Sequence, residues 1–280
     1  MKKLIAVICA LACSLSFFSC KNEKKSETVK DIKEGEAVVG KKYYEDDKLV
    51  REELFDKAGE IIKKVYYSDS EKVEKEEEYT LGKLYSDVVY TYGEDGKSTS
   101  KKNTYNKDGE IKTVIDSNYT DGKLKKETVS TVDKDGKATV TEENHYKYNE
   151  DGTVVKTQKK DDKKVKDTVS DKDGKILYTV DYLESGSMQK KHFNEKGKTV
   201  KIENFNKDGV LVRTIENLYD EMGKTQGYRE YDVNGNLAYY GEYEYVEGKL
   251  KKIAVYDEND VLVRTMVYNE NGEVEIIEAE

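Results

Sequence analysis

The 280-residue sequence has no proline, three cysteines and two histidines, and of its 49 basic residues only those at 51, 213, 229 and 264 are arginine. Each shortage excludes something. Proline cannot donate to a sheet ladder, so a chain of central strands rejects it, where about 5% would be usual. The cysteines are Cys9, Cys13 and Cys20. Nothing after them can form a disulfide, so the domain folds without staples. His145 and His192 stand in predicted strands, outside any Cys/His cluster or metal-ligand spacing, and nothing in the sequence brings either to a serine and an acid. No phosphate-cradling glycine loop and no zinc-protease helix occurs. These readings predict no catalytic residue, no metal and no cofactor.

Charge of one sign does not dominate locally. The net charge is −9, and −11 once Lys2 and Lys3, the only charges in the first 19 residues, are set aside. Acids and bases alternate closely, and Lys159-Lys160 is answered by Asp161-Asp162. That makes no phosphate-tracking stripe, which argues against nucleic acid as a partner. Charged residues make up 38% of the chain against 36% hydrophobic, a balance that can signal disorder. Regularly spaced tyrosines and glycines argue otherwise.

Those tyrosines and glycines form one recurring pattern: an aromatic, a polar turn ending in Gly, a polar residue, then Leu, Ile or Val. It appears as Tyr105-Asn-Lys-Asp-Gly-Glu-Ile111, Phe205-Asn-Lys-Asp-Gly-Val-Leu211 and Tyr231-Asp-Val-Asn-Gly-Asn-Leu237, and in a shorter form as Tyr119-Thr-Asp-Gly-Lys-Leu124 and Tyr245-Val-Glu-Gly-Lys-Leu250. The long form suits a type I turn over Lys107-Asp108 with Gly109 left-handed in a G1 bulge. The short form suits a type I′ turn at Asp121-Gly122. Either loop sets the aromatic opposite the aliphatic, a cross-strand pair that contributes about 0.2–1 kcal/mol. Loops such as Asp133-Lys-Asp-Gly-Lys137 and Asp171-Lys-Asp-Gly-Lys175 look superficially like calcium loops. Their glycine comes too early, a lysine holds a ligand position, and Asn144 stands where the first would need its bidentate Glu.

From each aliphatic to the next aromatic the step is nearly always even, as in Ile61→Tyr67, Val73→Tyr79 and Leu124→Val132. Residues an even number apart on a strand share a face. The anchors are therefore expected on one inward face, with Leu124, Lys126, Thr128, Ser130 and Val132 together. Met188→Phe193 is odd and predicts a bulge there. Turns about 12 residues apart leave strands of seven or eight, antiparallel because their connections are short. The expected fold is all-β: an elongated, twisted antiparallel meander of tandem β-hairpin repeats, mostly single-layer, of about 18 or 19 strands. Residues 93–175 are the most polar part and the least suited to hold it.

The N-terminus gives a cellular address. Met1-Lys2-Lys3 is a short basic region and Leu4–Phe18 an apolar run too short to span a bilayer comfortably; together they read as a secretory signal. Phe17-Phe18-Ser19-Cys20 resembles a bacterial lipoprotein lipobox, with Phe17 where Leu is usual. The resemblance implies cleavage before Cys20 and a diacylglyceryl thioether with N-acylation on it, a membrane anchor of the multi-chain kind that holds stably. A cleaved signal with an incidental cysteine is the alternative. The expected organisation is signal peptide 1–19, lipidated Cys20 with a flexible tether over 20–36, and a β-hairpin repeat domain over 37–280. The expected location is the bacterial cell envelope, lipid-anchored at the outer membrane.

Aromatic side chains supply the candidate ligand surface. Tyr239, Tyr240, Tyr243 and Tyr245 crowd one predicted strand, with Tyr228 and Tyr231 on the strand before. Such platforms bind glycans or proteins, although cross-strand packing explains them as well. Finally, Tyr119-Thr-Asp-Gly-Lys-Leu124 resembles the variant MORN repeat and Tyr231-Asp-Val-Asn-Gly-Asn-Leu237 the YD-type repeat. The MORN-variant resemblance implies an antitoxin- or immunity-like protein as the alternative function. The main expectation is a non-enzymatic envelope lipoprotein that presents a repetitive sheet to a protein or glycan partner, or acts as a spacer.

Overall fold

The structure is a computed structural model that describes residues 26–279. Its strands in the first half are β1 (Glu27–Glu34), β2 (Ala37–Glu45), β3 (Lys48–Phe55), β4 (Ile61–Tyr67), β5 (Val73–Thr80), β6 (Lys83–Tyr92), β7 (Lys97–Tyr105), β8 (Ile111–Thr120), β9 (Lys123–Val132), β10 (Ala138–Tyr148) and β11 (Val154–Lys160). The rest are β12 (Lys163–Ser170), β13 (Ile176–Tyr182), β14 (Met188–Phe193), β15 (Thr199–Phe205), β16 (Leu211–Tyr219), β17 (Thr225–Tyr231), β18 (Leu237–Val246), β19 (Lys249–Asp257), β20 (Leu262–Tyr268) and β21 (Val274–Glu278). Each pairs antiparallel with the next in one open sheet. The described residues contain no helix.

The all-β meander is as the hairpin pattern requires, with 21 strands rather than 18 or 19. The sheet begins at Glu27, so residues 27–36, assigned to the tether, form β1 and its turn. The polar stretch from 93 to 175 is filled by β7 to β12 in continuous register.

Turn chemistry follows the two expected forms. Asn106 N–H donates to Glu110 O at 2.9 Å and Gly109 N–H to Asn106 O at 3.1 Å, with Gly109 at φ 84°. Tyr105 stands opposite Ile111. In the short form Asp121 and Gly122 have φ 52° and 70°, and Tyr119 stands opposite Leu124. A further contact locks the long turns. Asn106 Oδ1 accepts from the Asp108 and Glu110 N–H groups at 2.9 and 3.0 Å. Asp133 does the same for Asp135 and Lys137, which makes its loop an Asx-capped hairpin.

Register decides which way the side chains point. All pairings but β6–β7, β10–β11, β13–β14 and β20–β21 contain a one-residue shift, usually just past the anchor pair. Tyr67 faces Val73, but Tyr66 faces Lys75, so Glu74 is the extra residue of a bulge. Val73 thus shares the face of Tyr67, whereas Lys75, Glu77 and Tyr79 share the face of Tyr66. The contacts agree: Tyr66 and Tyr79 both donate to Glu77 Oε2, at 2.9 and 2.7 Å.

An even step that contains a bulge therefore puts the two anchors of a strand on opposite faces. From β2 onward, anchors at turns after odd-numbered strands project to one face, here the front (Tyr79, Tyr105, Tyr182, Tyr231). Those after even-numbered strands project to the back (Tyr67, Tyr119, Tyr219, Tyr245). The single inward face expected from parity is thus corrected: Leu124 lies on the back, and Lys126, Thr128, Ser130 and Val132 lie on the front beyond the bulge at Lys125. The odd step Met188→Phe193 is also the reverse of its reading. Tyr182 and Met188 pair in unbroken register, and β14 changes face by its length alone.

With no second layer, burial is achieved within the sheet. The buried side chains are largely polar up to β16, among them Glu53, Glu77, Ser86, Asp87, Ser100, Ser117 and Asn144, and turn apolar in β19, where Ile253, Ala254 and Val255 are all buried.

Candidate functional site

The predicted tyrosine surface falls on β17 and β18. A one-residue shift at Leu237 separates its members: Tyr231 pairs with Leu237, but Glu230 pairs with Tyr239. Tyr228, Tyr239, Tyr243 and Tyr245 consequently share the back face, and Tyr231 and Tyr240 the front. Six residues that read as one platform are a back-face quartet and a front-face pair.

The back quartet is organised around a glycine. Tyr228 stands opposite Gly241, and its ring fills the space that a β-carbon on Gly241 would enter, at 2.2 Å from Cε1. Tyr228 meets Tyr243 edge-on, with ring centroids 6.3 Å apart, and Tyr243 meets Tyr245 at 6.5 Å. Beneath them lie Ile253, opposite Tyr243, and Val255, opposite Gly241. Burial pushes the Tyr228 phenol above its ordinary value, against the pull of Arg264; burial, then the neighbouring phenols, do the same to Tyr243. Lys224 Nζ lies 3.8 Å from the centroid of the Tyr245 ring, a cation–π contact. Tyr239 stands at the margin of this group and is exposed.

On the front, Tyr240 stacks on Tyr256 of β19, with centroids 5.0 Å apart and ring planes 18° from parallel. The Tyr240 hydroxyl donates to Asp260 Oδ1 at 2.8 Å, and that bond raises its phenol to about 12. Tyr231 donates to Glu216 Oε2 at 3.3 Å. The last contact belongs to a recurring device: Tyr105 reaches back to Asp87 at 3.0 Å and Tyr182 to Asp167 at 2.8 Å. A front-face anchor tyrosine thus binds a carboxylate on the preceding strand, which keeps its hydroxyl from solvent.

The histidines are ion-paired strand residues. His145 and Lys126 both bond Glu143, and His192 Nε2 lies 2.8 Å from Glu203 Oε2. The bonds from Lys126 and then His145 hold the Glu143 carboxyl below its ordinary value. For Glu203, burial opposes ionisation, but bonds from Lys201 and His192 outweigh it. Among the described residues no three His, Cys, Asp or Glu side chains gather as a metal centre, and no helix is long and apolar enough to cross a membrane. Cys20, with the predicted signal peptide and the start of the tether, lies outside the described residues.

Sequence reasoning missed Tyr256 and Asp260, the partners of Tyr240, and Gly241. The mid-strand glycine was the readable signal, because such a position often marks a close approach by a neighbour.

No protein-family model matches the chain, and no curated protein matches it. Solved structures give faint likenesses. A mutant of S. aureus TarM, in complex with fondaparinux, alpha-GlcNAc-glycerol and UDP, aligns over 42% of this chain and 20% of its own, at 11% identity and a TM-score of 0.24. A Bacteroides fragilis protein, BF3112, aligns over 64% and 90%, at 11% identity and a TM-score of 0.19. A porin-like protein from Bacteroides vulgatus aligns over 90% and 96%, at 11% identity and a TM-score of 0.22. Likenesses this weak carry no argument about activity.

Proposed function

We propose that the protein is a non-enzymatic lipoprotein of the bacterial envelope, held by lipid on Cys20, whose sheet presents an aromatic surface to a protein or glycan partner. The observation that supports this is the concentration of rings on β17–β19, with Tyr239 exposed at its edge. Tyrosine supplies large contact area at little conformational cost and is enriched at interfaces. Of the two groups, the back quartet is the better partner surface. It is the larger, and its rings are braced by buried aliphatics.

The test has two arms. Fatty-acid labelling and fractionation compare wild type with Cys20→Ala: label and membrane retention are expected to vanish together, and retained label would refute the anchor. Cross-linking on intact cells then compares wild type with Tyr239→Ser. Loss of a specific protein or glycan adduct is expected, and an adduct pattern identical in both would remove this surface from the proposal.

A further inference from the structure

The most unusual polar group in the sheet is Asn144, on the back face of β10. Its side chain is 1% exposed, and Oδ1 is buried without a hydrogen-bond partner. Its Nδ2 donates to two carboxylates at once, Glu142 Oε1 at 2.7 Å and Glu127 Oε1 at 3.1 Å. Glu127 lies directly opposite on β9, and Gln158 directly opposite on β11. A buried amide oxygen left unpaired costs about 1–3 kcal/mol. A half-turn of the amide exchanges its oxygen and nitrogen without changing its shape. It would also set three oxygens together with nothing positive between them.

That arrangement suits a hard cation. Oxygens bound to calcium at about 2.3–2.6 Å, a right angle or slightly less apart, stand about 3–3.5 Å from one another. The 2.7 and 3.1 Å separations around the Asn144 amide nearly reproduce that spacing. A cation capping the triangle would pair the orphan oxygen and offset the repulsion between the carboxylates. The Glu142 side chain is 32% exposed, so water can complete the shell on the open side.

We propose that Glu127, Glu142 and the flipped amide of Asn144 bind one calcium-type divalent cation on the back face of β9–β10. The acids alone would not make a site; the unpaired buried oxygen of the same amide does. Lys156 Nζ, 3.9 Å from Glu142 Oε1, is the competing charge when no cation is bound. With two carboxylates and several waters, affinity falls in the weak extracellular range, Kd about 0.1–1 mM.

The experiment titrates the purified full-length protein with calcium by calorimetry and with terbium by tyrosine-sensitised luminescence. Tyr146 follows Asn144 on the same face, and its phenol feels both Glu127 and Glu142. One site is expected. Glu127→Gln and Glu142→Gln should each weaken it about tenfold or more, and Tyr146→Phe should dim the terbium signal while leaving calcium affinity unchanged. Lys156→Gln should tighten binding severalfold, and it decides the matter if the glutamine variants do not fold. Binding that is unaffected by the glutamine variants would place the cations on the acidic turns, and no saturable binding would leave Oδ1 merely hydrated. Either result, or no tightening in Lys156→Gln, overturns the site.

Discussion

Strands β3–β7 and β17–β20 solve the same problem with different chemistry. Both must hold a sheet that has no second layer to bury a face against. In β3–β7 the front face carries an unbroken row of directly opposed residues, Glu53, Lys64, Glu77, Asp87 and Asn103. Glu53, Glu77 and Asp87 are buried, and each accepts from tyrosine: Tyr43 on Glu53, Tyr66 and Tyr79 on Glu77, Tyr105 on Asp87. In β17–β20 the corresponding cover is apolar, with Val255 fully buried beneath the Tyr228–Gly241 contact. A satisfied polar network is specific but costly to break at any one member. A packed aromatic–aliphatic patch fails by degrees. The two regions should therefore respond differently to mutation and to acid.

The largest effect is expected where backbone meets backbone. A β-carbon on Gly227 would lie 2.2 Å from Gly241 O. Gly227→Ala should part β17 from β18 and cost about 3 kcal/mol. Gly241→Ala meets a ring that can swing aside and should cost less. Hydrogen exchange on β17 and β18 reads both, and equal losses would mean that Tyr228 is as immovable as the ladder.

Next comes Glu77→Ala, which strands two tyrosine hydroxyls and Lys75 Nζ, now 2.6 Å from the carboxylate; the loss should be about 2–3 kcal/mol by chemical denaturation. Burial opposes ionisation of Glu77, but bonds from Lys75, Tyr79 and Tyr66 outweigh it and hold the carboxyl below its ordinary 4.5. Its folded value is depressed, so its contribution is complete above the ordinary value and is lost as pH falls through the folded one. Acid should therefore loosen β4–β6 before β18–β20 in pH-resolved hydrogen exchange; the opposite order would end the contrast.

Val255→Ala should cost about 2 kcal/mol and raise exchange in β18–β20 while leaving β4–β6 unchanged. The smallest effect is a gain. Leu81 sits in a left-handed turn at φ 50° and is 91% exposed, so it bears backbone strain without packing in return. Leu81→Asn should stabilise by about 1 kcal/mol, measurable as a small rise in Tm.

Hairpins were legible in the sequence because turn chemistry is local. Asp121-Gly122 and Lys107-Asp108-Gly109 carry their geometry in their own residues. Faces were not legible, because the bulges have no residue signature: Glu74, Lys112 and Lys125 all serve as the extra residue. Strand β1 went unread because it has no aromatic anchor. The tyrosine group on β17 and β18 was found, but its division between two faces depends on the shift beside Leu237. The Asn144–Glu127–Glu142 contact joins residues 17 and 2 positions away in the chain, across a strand pairing that spacing alone does not fix.

Alternation of the anchors between faces also sets the grain of the array. One strand reverses both the chain direction and the side on which its ring emerges, so a single strand is never a copy of its neighbour. Two strands, about 24 residues, are the smallest length that can be duplicated or lost while every remaining ring keeps its side. Growth of this sheet by recombination therefore proceeds in doublets, and a relative differing by an odd number of strands must have rebuilt one of its margins.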